Sequence, residues 1–232
     1  MRYYFLLLLL VSSVITFAQN VPILSESAEI SLLTCSPGKD VYEAFGHTAI
    51  RVKDEANGVD FSFNYGTFDF GQPNFYVNFV KGKLLYMLSV SRTEGFVNYY
   101  QRYNRSVTEQ VLDLSQAEKQ RLINALDENV KPENRDYLYD YFFDNCSTRP
   151  RDVILSALEG DLSIDSADCE HKSIRQLTNS YMGEERAWGR LGINICLSGS
   201  RIDQPASAWE YMYLPEELMF AFDRMTLSVE GV

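Results

Sequence analysis

Histidine is scarce in this chain. Two occur in 232 residues, His47 and His171, so any mechanism that needs an imidazole base has two positions to draw on. Equally missing are a His-Glu-x-x-His helix, a Gly-x-Ser-x-Gly elbow and a phosphate-cradling glycine loop, which removes support from zinc-hydrolase and nucleotide chemistry. Basic residues are outnumbered, 21 against 32. The resulting net charge of -11 argues against a broad nucleic-acid or anionic-membrane footprint, while leaving room for a local basic or apolar patch. No apolar run after residue 18 is long enough to span a bilayer, and no internal repeat or low-complexity tract interrupts the chain.

The first eighteen residues read as an export signal. Arg2 supplies the positive end, an apolar core starts at Leu6, and the small residues Thr16 and Ala18 flank a cut before Gln19. Residues 19–232, about 214 in number, are then one domain with a C-terminal helical elaboration. Four cysteines follow the signal: Cys35, Cys146, Cys169 and Cys196. If Cys146 stays a free thiol, at most one disulfide is available, and Cys169 with Cys196 is the natural pair. Cys169, Glu170, His171 and Cys196 are metal-ligand types without the short paired spacings of a structural zinc site, and no metal is assigned to them.

Periodicity gives an α+β fold with an antiparallel sheet. Residues 28–35 form an apolar strand stopped by Pro37 and Gly38, and 47–52 and 59–64 form a hairpin around a charged loop. Short helices are expected over 73–80 and 93–103, strands over 84–91 and 106–114, and a helix opened by the capping box Ser115 to Glu118. A helix begins near Cys146, carries Val153, Ile154, Ala157 and Leu158 on one face, and stops at Gly160. Another covers 173–181, the stretch around Gly189 and Gly192 reads as loop, and 206–225 is helical with a break at Pro215.

Within this frame His47, in an alternating strand, and Cys146, 99 residues later, are the natural base and nucleophile. A thiol needs such help because only the thiolate attacks and a free cysteine has a pKa of ~8.5. A helix N-terminus at Cys146 favours the thiolate, and its free N–H groups are candidate oxyanion donors, with Asp144 or Asn145 as the cap. Asn64, at the end of the strand hairpinned to that of His47, is the first choice to fix the imidazole tautomer, with Asp69 in reserve. Tyr65, Asp69, Asn145 and Arg149 are the candidates to contact substrate. Tyr65 is either an oxyanion donor or packing. Arg149 and Arg151 hold an anionic group or pair locally with Asp152. The aromatic run Tyr137 to Phe143 lines an acyl groove or fills core.

Four ordered motifs carry a family resemblance: Leu-Leu-Thr-Cys-Ser-Pro-Gly at 32–38, Ala-Phe-Gly-His-Thr-Ala-Ile-Arg-Val at 44–52, Phe-Asn-Tyr-Gly-Thr-Phe-Asp-Phe at 63–70 and Phe-Asp-Asn-Cys-Ser-Thr-Arg at 143–149. Together they resemble the bacterial Lnb-type N-terminal periplasmic domain over roughly residues 28–225. That family looks like a branch of the circularly permuted NlpC-type, papain-like thiol enzymes, in which the histidine strand precedes the cysteine helix. The resemblance implies a periplasmic cysteine acyltransferase with Cys146 as nucleophile, His47 as base, Asn64 as orienting group and no cofactor. It also implies lipid or lipoprotein acyl groups as substrate. Acyltransferases of this kind continue into membrane-spanning helices, so this chain is either a periplasmic relative that hydrolyses an ester, thioester or amide or one that works with a membrane-embedded partner. A periplasmic hydrolase of NlpC type (amidase, peptidase or esterase) and a non-catalytic binding module are the alternatives.

Overall fold

The computed structural model describes residues 21–40, 43–164, 172–196 and 200–228. Both the export signal and the Cys169 to Cys196 pairing therefore involve residues outside the described set. In chain order the elements are β1 (Glu29–Cys35), β2 (His47–Asp54), β3 (Val59–Thr67), α1 (Phe75–Val80), β4 (Leu85–Arg92), α2 (Thr93–Arg102), β5 (Val107–Val111), α3 (Gln116–Val130), β6 (Asp136–Leu138), α4 (Thr148–Ala157), β7 (Asp161–Ile164), α5 (Ile174–Met182), α6 (Ala187–Cys196), α7 (Ala208–Tyr211), α8 (Pro215–Arg224) and β8 (Met225–Ser228).

The first six strands form one sheet in the order β5-β1-β2-β3-β4-β6, every neighbouring pair antiparallel. Alternation assigns the faces. Ile30, Leu32, Ile50, Val52, Phe63 and Tyr65 belong to a buried cluster with Leu122, Leu126, Ile154 and Leu218 of α3, α4 and α8. Leu33, Cys35 and Ala49 point the other way and pack on Phe96 and Tyr100 of α2. Because β1 is covered on both sides, it reads as a continuous apolar run rather than an alternating one. Leu122 and Leu126 are fully buried, each contributing about 1.5–3 kcal/mol of apolar burial.

Local chemistry fixes the ends. Ser115 and Glu118 close the expected capping box on α3, and Ser173 with Gln176 does the same for α5. The β2–β3 turn ends on Gly58 in the left-handed region, where a side chain is disfavoured. Beside it, buried Asp54 accepts bonds from the Ser25 amide (2.8 Å), the Ser25 hydroxyl (2.7 Å) and the Asn57 amide (2.7 Å). Pro215 starts α8 rather than breaking a helix, since N1 needs no N–H partner.

Two regions differ from expectation. The stretch holding Gly189 and Gly192 is α6, because the helix cost of glycine is offset by packing Ile193 on the second core cluster and by Arg175, which donates to the Asn194 carbonyl and amide oxygens. A small hairpin pairs β7 with β8 across 60 residues of intervening chain, a non-local pairing that local periodicity does not encode.

Candidate active site

β1 and β2 place Cys35 directly opposite His47, on the α2 face of the sheet. Asn64 lies on the same face of β3, since its strand pairs with β2 in the register Ile50 to Phe63. The diagonal brings His47 Nε2 to 2.5 Å from Asn64 Oδ1. Beyond Asn64 the β3–β4 register shifts before Thr67, and Gly66 turns to φ +88°. This bulge leaves the sheet open where Cys146 arrives. A Cβ built on Gly66 would stand 3.2 Å from the Cβ of Cys146 and 3.8 Å from His47 Cε1.

Cys146 sits in the turn that leads into α4, just ahead of its first residue, Thr148. Asn145 builds that turn. Its Oδ1 accepts from the Ser147 and Thr148 amides (2.7 and 2.9 Å), and its Nδ2 donates to the Tyr141 and Tyr213 carbonyls (2.8 Å each). The hydroxyls of Thr48 and Ser147, 3.1 Å apart, lock α4 to β2.

The sulfur interacts with three groups. His47 hydrogen-bonds to it, Tyr139 reaches it with a hydroxyl at 3.8 Å, and the Thr48 amide donates to it. Burial opposes ionisation of the thiol, but the charge and hydrogen bond of His47, then Tyr139 and Thr48, outweigh it and hold Cys146 below its usual value. For His47, burial opposes the imidazolium, whereas Cys146 and Asn64 favour it and raise its pKa above the ordinary range. Each partner therefore favours the charged form of the other, thiolate beside imidazolium. Because Nε2 is taken by the acceptor oxygen of Asn64, Nδ1 is the nitrogen left for the thiol.

Cys146, His47 and Asn64 thus converge from three elements of distant sequence position. Residues 22–180, more than half of the chain, match the family model described as the Lnb N-terminal periplasmic domain. The chain belongs to this family. Membership fits a periplasmic location, and no helix among the described residues is long and apolar enough to cross a membrane. Comparison with curated proteins and with solved structures gives no match.

In this Lnb domain the other sequence candidates lie elsewhere. Asn145 is 4 % exposed with both amide ends engaged in building the turn into α4. It also occupies the Ser147 and Thr148 N–H groups, which are therefore unavailable as oxyanion donors. Tyr65 faces the core, with its hydroxyl accepting from Asn129 at 2.8 Å. Exposed Asp69 accepts from the Gly71 amide at 2.8 Å in its own loop, and Asn64 alone fills the role for which it was the reserve. Arg149 pairs with Asp144 (2.5 Å) rather than with Asp152, and its guanidinium lies 3.4 Å from the Tyr137 ring centre. Arg151 takes Asp152 instead, at 2.7 Å. Tyr65 and Arg149 line a cavity of about 450 Å³ with Asn129 and Ser156, away from the thiol.

Sequence reasoning missed two members of the site. Tyr139 was one aromatic among many, and only the bend of the chain after β6 turns its hydroxyl to Cys146. Burial and the nearby Cys146 hold its phenol well above the usual value, so it stays a donor. Gly66, two residues past the expected end of the strand, lies inside β3, where a glycine commonly marks a bulge or a close backbone approach.

Proposed function

We propose that this Lnb domain is a cysteine acyltransferase of permuted papain-like architecture, working through a thioester on Cys146. The observation that carries the reading is the thiol–imidazole contact completed by Asn64. A structural cysteine has no need of a base, nor a base of an orienting amide.

The thiolate attacks the acyl carbonyl, forming the C–S bond. As the ester C–O bond breaks, the His47 imidazolium gives its proton to the leaving alcohol oxygen. An acceptor amine then attacks the thioester, His47 takes the proton from nitrogen, and C–S cleavage restores the ion pair. Tyr139, within reach of the sulfur, is the side-chain donor for the developing oxyanion, since the helix N–H groups beside it are used by Asn145.

Aromatic lining supports a lipid acyl group. Tyr139 stacks on Tyr86 with ring centres 4.3 Å apart, and Tyr86 meets Phe68 at 5.2 Å, which gives the thiol an apolar flank. The test is intact-mass labelling with an acyl-ester probe. Wild type gains one acyl group that an added amine removes; Cys146→Ala gains none, and His47→Ala gains it far more slowly. Equal labelling without Cys146 would sink the proposal. Loss of the acyl group to water alone would make the protein a hydrolase.

A further inference from the structure

Exposed apolar side chains gather on α6, where Trp188, Leu191 and Ile195 are exposed, and again beside the site. Phe70 is 66 % exposed, Val77 51 %, Leu85 45 % and Leu138 54 %. Single exposed apolar residues are ordinary, but these are joined. The Phe70 ring lies 4.9 Å from that of Phe75 in α1, Gln72 ties the same loop to β4 by donating to the Leu85 carbonyl at 2.9 Å, and Leu85 faces Leu138 across β4 and β6. Immediately after α1 come Lys81 and Lys83, both exposed and neither in an ion pair among the described residues. The one acidic group in the loop, Asp69, is turned onto the Gly71 amide.

We propose that Phe70, Val77, Lys81, Lys83 and Leu85, with Leu138 at the sheet edge, form a docking surface for an anionic phospholipid bilayer. Phe70, Val77, Leu85 and Leu138 enter the boundary between headgroups and acyl chains, while Lys81 and Lys83 meet headgroup phosphates. Charge selects this orientation. A chain of net charge -11 is repelled by an anionic surface overall, so contact is favoured where ammonium groups outside ion pairs adjoin apolar tips. A second contact gives the surface its use, and here the inference rests on the acyl-transfer reading. Phe70 meets Phe68 at 5.0 Å, Phe68 meets Tyr86, Tyr86 stacks on Tyr139, and the Tyr139 hydroxyl is at Cys146. The file of rings runs from the docking face to the nucleophile and gives an approaching acyl ester an apolar flank. A protein partner is less favoured, because the patch offers lysines and apolar tips without buried directional groups to set a register.

The experiment is flotation of the exported protein with vesicles of phosphatidylglycerol and phosphatidylethanolamine, or of phosphatidylcholine alone. Wild type is expected to float with the first and much less with the second. Val77→Ser with Leu138→Ser lowers binding about tenfold, the loss of two interfacial apolar anchors. Lys81→Glu with Lys83→Glu abolishes the preference for phosphatidylglycerol. In each variant the alkylation rate of Cys146 stays at the wild-type value, which shows that the fold is intact. Three results would overturn the proposal: wild type that never floats, variants that float like wild type, or binding lost only in Trp188→Ser, which lies on the exposed face of α6. Flotation with no acyl-ester labelling leaves the docking surface standing and removes the acyl-transfer reading, so the two failures are distinguishable.

Discussion

Gly66 and Cys146 touch across a gap that only a glycine can leave. The added Cβ would be 3.2 Å from the cysteine Cβ and 3.5 Å from Tyr139 Cε2, on a backbone at φ +88°. Gly66→Ala therefore meets strain and crowding together. The expected outcome is a stability loss of about 1–3 kcal/mol, read by denaturant titration, and a slower Cys146 alkylation because the thiol is pushed from His47. Unchanged alkylation would mean that the helix turn gives way without moving the sulfur.

Asn64 holds the imidazole through one hydrogen bond, and its loss has a defined sign. The bond raises the His47 pKa, so in Asn64→Ala the imidazolium is lost at lower pH. The alkaline limb of the acylation-rate profile then moves toward acid, and the plateau falls on the order of tenfold, the effect of about 1–1.5 kcal/mol. Asn64→Gln, which keeps the amide but shifts its reach, restores less than a merely space-filling role would require. A profile that drops without moving along the pH axis would assign Asn64 to packing alone.

Tyr139→Phe separates oxyanion stabilisation from thiolate formation. Removing one oxyanion donor costs about 10²–10³ in kcat. Alkylation by iodoacetamide, which forms no oxyanion, should fall far less. Equal losses in both reactions would place the hydroxyl in thiol activation only.

Asp54 gives stability a pH dependence far from the site. Burial alone would raise its pKa, but the Ser25 and Asn57 donors lower it to about 2. A carboxylate depressed in the folded state stabilises fully above its unfolded pKa of ~3.9, and that contribution is lost as pH falls through about 2. Asp54→Asn should lower Tm near neutrality and flatten its decline across this acid window. A parallel decline in both proteins would assign the acid sensitivity to other carboxylates.

Asn145→Ala removes the cap of α4 and leaves the Tyr141 and Tyr213 carbonyls short of a donor. About 2–4 kcal/mol of destabilisation is expected in urea titration. Asn145→Asp retains the acceptor for Ser147 and Thr148 and should recover part of it. Full stability in the alanine variant would show that water replaces the whole set.

Much of the sheet was legible in the residues. The apolar run expected over 28–35 and the alternating hairpin expected over 47–52 and 59–64 around a charged turn are found at Glu29–Cys35, His47–Asp54 and Val59–Thr67, and the capping box over Ser115 to Glu118 marks α3. His47, Cys146 and Asn64 stood out because their residue types are rare or placed at strand ends. What stayed hidden depends on non-local geometry. The role of Asn145 could be read as a cap, but that it consumes the donors beside Cys146 requires the turn itself. Tyr65 and Asn64 are sequence neighbours, yet pleating sends one into the α3–α4 core and the other to His47. The helix over 187–196 escaped notice because two glycines outweigh its apolar spacing until Arg175 and Ile193 are in place.

Cys35, beneath His47, carries a consequence for anyone counting thiols. Cys35 is 1 % exposed and burial pushes its thiol up to about 12, while His47 holds that of Cys146 below its usual value. A brief electrophile pulse on folded protein will modify the second and spare the first. Modification of the Cys35 peptide then times the opening of the sheet centre, and the molecule reports its own unfolding rate without a dye or an engineered label.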